Sequence, residues 1–400
     1  MSDDRKRTWT TVATVGVGAI CVAGLALYSF LNAMQSPLHP NPQEVPSSAD
    51  AAPLPGWADA VGRARQTARA GLVEHNLPGL SVAVGVDGEI VWAEGFGWAD
   101  LEKREPVAAR MRFRIGHVSK ALTSAAVGIL LETGQLRLDD EIQTYVPDFP
   151  RKEWPITLRQ LMGHTSGIRH YTSEEDYTPS AHCERASEGL QRFADHPLLF
   201  EPETRYGYST FGWILVSAAV EAAAGEPLLA FMRRRVLEPL GMTDTTMDAG
   251  NAPMPDRVTF YYPRFSGDPS SGSEPTRPAD YSCFSGAGGF LSTPTDLVRF
   301  GIALGDRGLL KRSTVAQLQM PQLLASGQKT EYGLGWTLQT VPLAGEPTPM
   351  AGHSSLTLLG GSTAFLTFPE HRMVVAVTSN TSRAQTRAIA LHIADIFATR

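Results

Sequence analysis

The stretch Phe113-Arg114-Ile115-Gly116-His117-Val118-Ser119-Lys120, running on through Ala121-Leu122-Thr123-Ser124-Ala125-Ala126-Val127-Gly128-Ile129-Leu130, sets the reading of this chain. From Val118 to Thr133 the segment is apolar on nearly every side and stops at Gly134, which predicts a helix buried within its domain. Such a helix can carry a side chain from the core to a cleft. Residues three apart on a helix are neighbours, so positions 117 and 120 share one face at its start. A serine and a lysine at that spacing make a nucleophile and a holder for its proton. Here lysine stands at 120 and histidine at 117. Ser119 is two positions from 117 and points to another face of the helix.

Working outward, Trp57 to His75 has Val61, Ala64, Ala68 and Leu72 at helical spacing. The period then changes to strand-like runs at 81–86 and 89–93, joined by Asp87-Gly88, a dipeptide that tolerates the positive φ angles of a tight hairpin. Residues 136–330 read mainly as helix and loop, with a helix start at Thr293-Pro294-Thr295-Asp296. Strand patterns return at 335–340, 362–368 and 373–378, and a last helix is predicted over 384–398. Strands at both ends around a helical middle imply an α+β fold with one sheet completed by the two ends of the domain.

The N-terminal region reads differently. No charged residue occurs from Thr11 to Leu31, a length that can cross a hydrocarbon core as a helix. Arg5, Lys6 and Arg7 precede it and no Lys or Arg follows before Arg63, which places residues 1–10 in the cytoplasm and the body outside. A cleaved signal peptide is the competing reading. Residues Ser36 to Gly56 are rich in Pro, Ala and Ser, and the segment 32–56 is expected to act as a spacer without core contacts. The expected organisation is therefore a cytoplasmic 1–10, a transmembrane helix 11–31, a linker 32–56 and a catalytic-type domain 57–400. The location implied is a single-pass protein of the inner (cytoplasmic) membrane, with its domain facing the periplasm or cell exterior. The chain of 400 residues has 42% hydrophobic and 19% charged residues and a net charge of −6, with its cations scattered, so nucleic acid is not an expected partner. Cys183 and Cys283 read either as free thiols or as one disulfide.

Four segments carry the chemistry: His117-Val118-Ser119-Lys120, His164-Thr165-Ser166-Gly167, Tyr208-Ser209-Thr210 and His353-Ser354-Ser355, the last placed just before a late strand. Supporting segments lie in order around them: Leu161-Met162-Gly163, Pro239-Leu240-Gly241-Met242, Ser285-Gly286-Ala287-Gly288-Gly289 and Tyr332-Gly333-Leu334-Gly335-Trp336. On these residues the chain, from about Trp57 onward, resembles the serine β-lactamase and penicillin-binding protein family. The similarity is to the branch holding class C enzymes, D-Ala-D-Ala carboxypeptidases, esterases and mitochondrial serine β-lactamase-like proteins.

The resemblance implies an antiparallel sheet flanked by helices, with a cleft between the sheet and a mainly helical insertion. It implies that position 117 is the nucleophile position, that Lys120 is the lysine of S-x-x-K, and that Tyr208 is a base or a proton donor to the leaving group. Thr210 takes the place of a commoner asparagine. His353 takes that of the lysine or histidine of K-T-G or H-T-G, and Ser355 that of its glycine, narrowing the approach. Backbone N–H groups of His117 and Leu356 would form the oxyanion hole, so Thr210, Ser355 and Leu356 are the expected substrate contacts. The implied ligand is a β-lactam, D-alanyl peptide (peptidoglycan peptide) or small ester. No cofactor is expected, and no metal either, since neither H-x-H-x-D nor H-E-x-x-H occurs.

His117 leaves three readings open: covalent catalysis lost with the cleft kept for binding of cell-wall peptide or a partner protein, the imidazole as general base on water, or a replacement in an otherwise active hydrolase. His75, His170, His182, His196, His371 and His392 are given no functional weight.

Overall fold

In the computed structural model, residues 21–29, 37–173, 176, 181–250, 254–264, 267, 272–305, 308–356 and 360–399 are described. The expected transmembrane segment lies mostly outside them; residues 21–29 are helical. Among the described residues no single helix is long and apolar enough to cross a membrane.

The chain first forms a short strand β1 (Ser47–Ala49), then helix α1 (Ala58–Glu74) and the hairpin β2 (Gly79–Val86) and β3 (Glu89–Asp100). Asp87 and Gly88 both take positive φ, +51° and +83°, as a two-residue turn matched to the strand twist requires. The buried helix α2 (Ser119–Glu132) and helix α3 (Thr210–Ala224) build the helical region, and α4 (Pro294–Gly305) leads back towards the sheet. The chain closes with β4 (Thr337–Leu343), β5 (Glu346–Leu356), β6 (Ser362–Phe368), β7 (Met373–Ser379) and α5 (Thr386–Ala398). The strand order is β1-β3-β2-β7-β6-β5-β4, antiparallel throughout. The expected α+β architecture is thus present, and the two sequence-distant groups of strands meet where β2 pairs with β7, Val82 opposite Val377.

Strand alternation explains the layers. On β7, Val375 and Val377 join the cluster under α1 and α5, while Val374 and Ala376 join the larger cluster on the opposite face, which includes the residues of α2, α3 and α4. Because both faces are covered, β7 is buried along its whole length and is apolar from Met373 to Val377.

Two expectations are corrected. The proposed linker 32–56 is not a bare spacer: Ser48 of β1 pairs with Gly95, Val45 is buried in the α1 and α5 cluster, and the Leu38 N–H donates to Asn76 Oδ1 at 2.7 Å. Proline-rich composition disfavours a core but does not prevent a short edge strand. Second, His353-Ser354-Ser355 lies within β5, not before a strand. Pro347 and Pro349 hide the strand's first half because proline cannot donate to a ladder.

Candidate active site

Strand residues Phe113–Arg114 run into a 3-10 turn, Gly116–Val118, that opens directly into α2. Gly116 has φ +48°, a conformation that costs a residue with a Cβ, and the turn it permits sets His117 at the helix entrance. Lys120 lies one turn further on and is fully buried. Ser209 caps α3, its Oγ accepting from the Gly212 N–H at 3.0 Å and donating to the Arg169 carbonyl at 2.7 Å. This cap fixes Tyr208 before the helix and Thr210 at its first position. On β5, His353 and Ser355 are two apart and therefore share a face.

These elements meet at a cleft of about 690 Å³ whose lining includes His117, Tyr208, Tyr332 and His353, and which extends to Lys329 and Arg387. His117 Nε2 lies 3.2 Å from Tyr171 Oη and 3.2 Å from Thr210 Oγ1. Lys120 Nζ donates to the Ala287 carbonyl at 2.8 Å and, more weakly, to Thr210 Oγ1 at 3.5 Å. Nζ also lies 5.1 Å from the centre of the Tyr208 ring. The backbone N–H of His117 donates to Ser355 Oγ at 3.0 Å. His353 Nε2 is 3.0 Å from Tyr332 Oη, and its Nδ1 is 3.0 Å from the Ser354 carbonyl. Tyr208 Oη is buried with no hydrogen-bond partner among the described residues.

Burial dominates the electrostatics. It pushes the Lys120 ammonium well below its ordinary pKa, because the buried charge loses its hydration. Burial, followed by the charge of Lys120, lowers His117 well below its usual range and takes His170 to about 4 and His353 to about 3. Tyr208 and Tyr332 are pushed well above the usual phenol value, again by burial first. The site therefore favours neutral imidazoles and protonated phenols around one buried amine.

Of the expected residues, His117, Lys120, Tyr208, Thr210, His353 and Ser355 converge here. Leu356 ends β5 opposite Ser362. Ser119 is fully buried and its Oγ accepts from the Phe290 N–H at 3.3 Å, so it faces away from the cleft. The expectation of an oxyanion hole with an open His117 N–H is corrected, since Ser355 Oγ occupies that donor. His170, given no weight above, belongs to the site: its Nδ1 accepts from the Thr210 N–H at 3.2 Å and its ring centre is 6.5 Å from that of His117. Tyr171, beside it, contacts His117. Neither residue had a sequence signal, because both come from the loop after His164-Thr165-Ser166-Gly167 and meet α2 only through the fold. Cys183 and Cys283 form a disulfide, Cα to Cα 4.9 Å, that ties this region to the turn carrying Ala287.

The comparisons agree with this architecture. The sequence model of the Beta-lactamase family matches residues 64–398. The mitochondrial serine beta-lactamase-like protein LACTB of Homo sapiens is 31% identical over 299 residues, covering 58% of this chain and 54% of its own length. Penicillin-binding protein 4* of Bacillus subtilis is 25% identical, over 77% of this chain and 69% of that protein. Esterase EstB of Burkholderia gladioli is 32% identical, over 58% and 59%. The chain spans about half the length of the LACTB relatives it matches. Among solved structures, the octameric penicillin-binding protein homologue from Pyrococcus abyssi has a TM-score of 0.70 at 23% identity, over 83% of this chain and 76% of that one. EstCE1, a hydrolase with promiscuous acyltransferase activity, has 0.72 at 22%, over 84% and 98%. With its sheet, its buried helix and a family match over most of its length, the chain belongs to the β-lactamase family.

Proposed function

We propose that this chain is a membrane-anchored, extracytoplasmic member of the β-lactamase family that binds a β-lactam, D-alanyl peptide or small ester without forming an acyl-enzyme. The observation that carries the reading is the state of position 117. No hydroxyl stands three residues before Lys120, the imidazole that replaces it is engaged by Tyr171 and Thr210, and its backbone N–H is held by Ser355. Lys120 in turn is directed to the Ala287 carbonyl. Loss of a nucleophile removes several orders of magnitude in rate, whereas the cleft, with Tyr208 and His353 in it, remains wide enough to hold a ligand.

Penicillin-binding protein relatives support the ligand class, and the disulfide supports an oxidising compartment. The uncharged 11–31 segment supports the anchor, which alkaline extraction of membranes tests: the intact chain stays with the bilayer, and its release into the soluble fraction would remove the anchor from the proposal.

A second reading is favoured by one feature. His117 Nδ1 makes no hydrogen bond among the described residues, and the ring lines the cleft, so it can act on a water as general base. Incubation with penicillin-type and fluorophosphonate probes, read by intact-protein mass and by substrate loss, separates the outcomes. Binding with neither adduct nor turnover is expected. Turnover without adduct moves the assignment to the general-base reading, and an adduct in the cleft overturns both.

A further inference from the structure

Lys120 is fully buried, and its ammonium has no contact with water through which to lose or regain a proton. Among the described residues its Nζ has two hydrogen-bond partners, the Ala287 carbonyl, which has no proton to exchange, and Thr210 Oγ1 at 3.5 Å. Thr210 Oγ1 is in turn 3.2 Å from His117 Nε2. The other nitrogen of that ring, Nδ1, belongs to a side chain that lines the cleft.

We propose that Thr210 is a proton relay that connects buried Lys120 to the cleft through His117, so that the protonation of the lysine sets which nitrogen of His117 carries its proton. When Lys120 is an ammonium, it donates to Thr210 Oγ1. The hydroxyl then has its own proton left to give, and it gives it to His117 Nε2, so the neutral imidazole keeps its proton on Nδ1. Discharge of Lys120 runs along the same atoms. An Nζ–H bond breaks as an O–H bond forms on Thr210, the original Thr210 O–H bond breaks as Nε2–H forms, and Nδ1–H releases its proton to water in the cleft. One proton leaves in total. Lys120 is then an amine accepting from Thr210, His117 donates from Nε2, and Nδ1 presents a lone pair. The cleft therefore sees a hydrogen-bond donor at His117 in one state and an acceptor in the other.

The charges around the relay allow this. Tyr171 Oη, 3.2 Å from Nε2, accepts from the Nε2–H of the second state, whereas in the first state the single Nε2 lone pair is taken by Thr210. Tyr208, His353 and His170 surround His117 with ring centres at 5.4, 6.2 and 6.5 Å, and His164 is the remaining nearby imidazole. Burial keeps Tyr208 protonated and His164, His170 and His353 neutral, which leaves Lys120 as the group that titrates. The inference rests on the reading of the cleft as non-acylating only in taking His117 as the native group. Its readout is independent of whether any ligand binds.

The test is nitrogen NMR of the full-length protein in detergent with labelled histidine, His117 being assigned by difference against His117→Gln, and with lysine labelled at Cε, across about pH 5 to 10. The expected result is that the Nδ1 and Nε2 resonances of His117 exchange character at the same midpoint as the Lys120 signal. Thr210→Val abolishes this coincidence, and Thr210→Ser, which keeps the hydroxyl, restores it. Comparison with folded Thr210→Ser guards against a Val variant that is merely destabilised. His117 holding one tautomer while Lys120 titrates, a Lys120 that does not titrate in that range, or coupling that persists in Thr210→Val would each overturn the relay. A probe adduct would defeat the binding-only function and leave the tautomer result standing.

Discussion

The backbone N–H of His117 is satisfied by the side chain of Ser355, Oγ to N 3.0 Å, across the gap between the start of α2 and β5. In acyl-transfer enzymes the nucleophile's own N–H is a donor to the developing oxyanion. Here a hydroxyl already sits in that place. His117→Ser alone is therefore expected to react slowly with an acylating probe, and His117→Ser combined with Ser355→Gly at least about tenfold faster, since loss of one oxyanion donor costs about 100-fold or more. Adduct mass against time, with peptide mapping to residue 117, measures it. Equal rates in the two variants would show that Ser355 gives way without resistance.

The disulfide spans 100 residues of sequence and joins the 181–192 region to the turn whose Ala287 carbonyl receives Lys120. Cross-linking a loop of that length restricts the unfolded chain, and its loss typically costs roughly 2 to 5 kcal/mol. Cys183→Ser with Cys283→Ser is expected to unfold at lower denaturant with a midpoint shift in that range. An unchanged midpoint would mean that the surrounding packing alone holds the turn.

Stability should fall on acidification. His353 and His170 have folded-state values of about 3 and about 4, below the ordinary histidine value, owing first to burial and then to Lys120. Between those values and about 6.5 the unfolded chain binds protons that the folded chain refuses, so stability is complete above about 6.5 and is lost as pH falls. For His353 the loss between about pH 6.5 and 5 is about 2 kcal/mol. Denaturant melts at those two pH values measure it, and His353→Gln should flatten the dependence. A variant with the native slope would assign the effect elsewhere.

Residues 37–50 are part of the folded domain. A chain starting at Gly56 loses the β1 to β3 pairing, the burial of Val45 and the bond from Leu38 to Asn76. Val45 alone is worth about 1.5 to 3 kcal/mol. Thermal unfolding of chains starting at residues 37 and 56 compares them directly, and the shorter one is expected to melt lower. Identical midpoints would return this segment to the role of a spacer.

Sequence alone suffices for the elements whose patterns are local. The period of α1, the Asp87-Gly88 hairpin, the all-round apolar α2 that ends at Gly134 and the late strands over 362–368 and 373–378 are legible, because side-chain alternation and turn chemistry act over a few residues. It also determined that histidine and not serine stands three residues before Lys120. The remaining features arise from long-range packing. That Pro347 and Pro349 begin a strand depends on β4 offering Pro342 and Thr340 as their partners, and that a proline-rich segment adds β1 depends on the free edge of β3. His170 and Tyr171 enter the site only because Thr210 and His117 are brought to them across 40 and 54 positions of sequence, separations at which no periodicity carries information. The meeting of Ser355 with the His117 N–H spans 238 positions. Whether the site's donors are open or occupied is a property of distances of about 3 Å, which packing of the sheet against α2 fixes and which residue types alone do not encode.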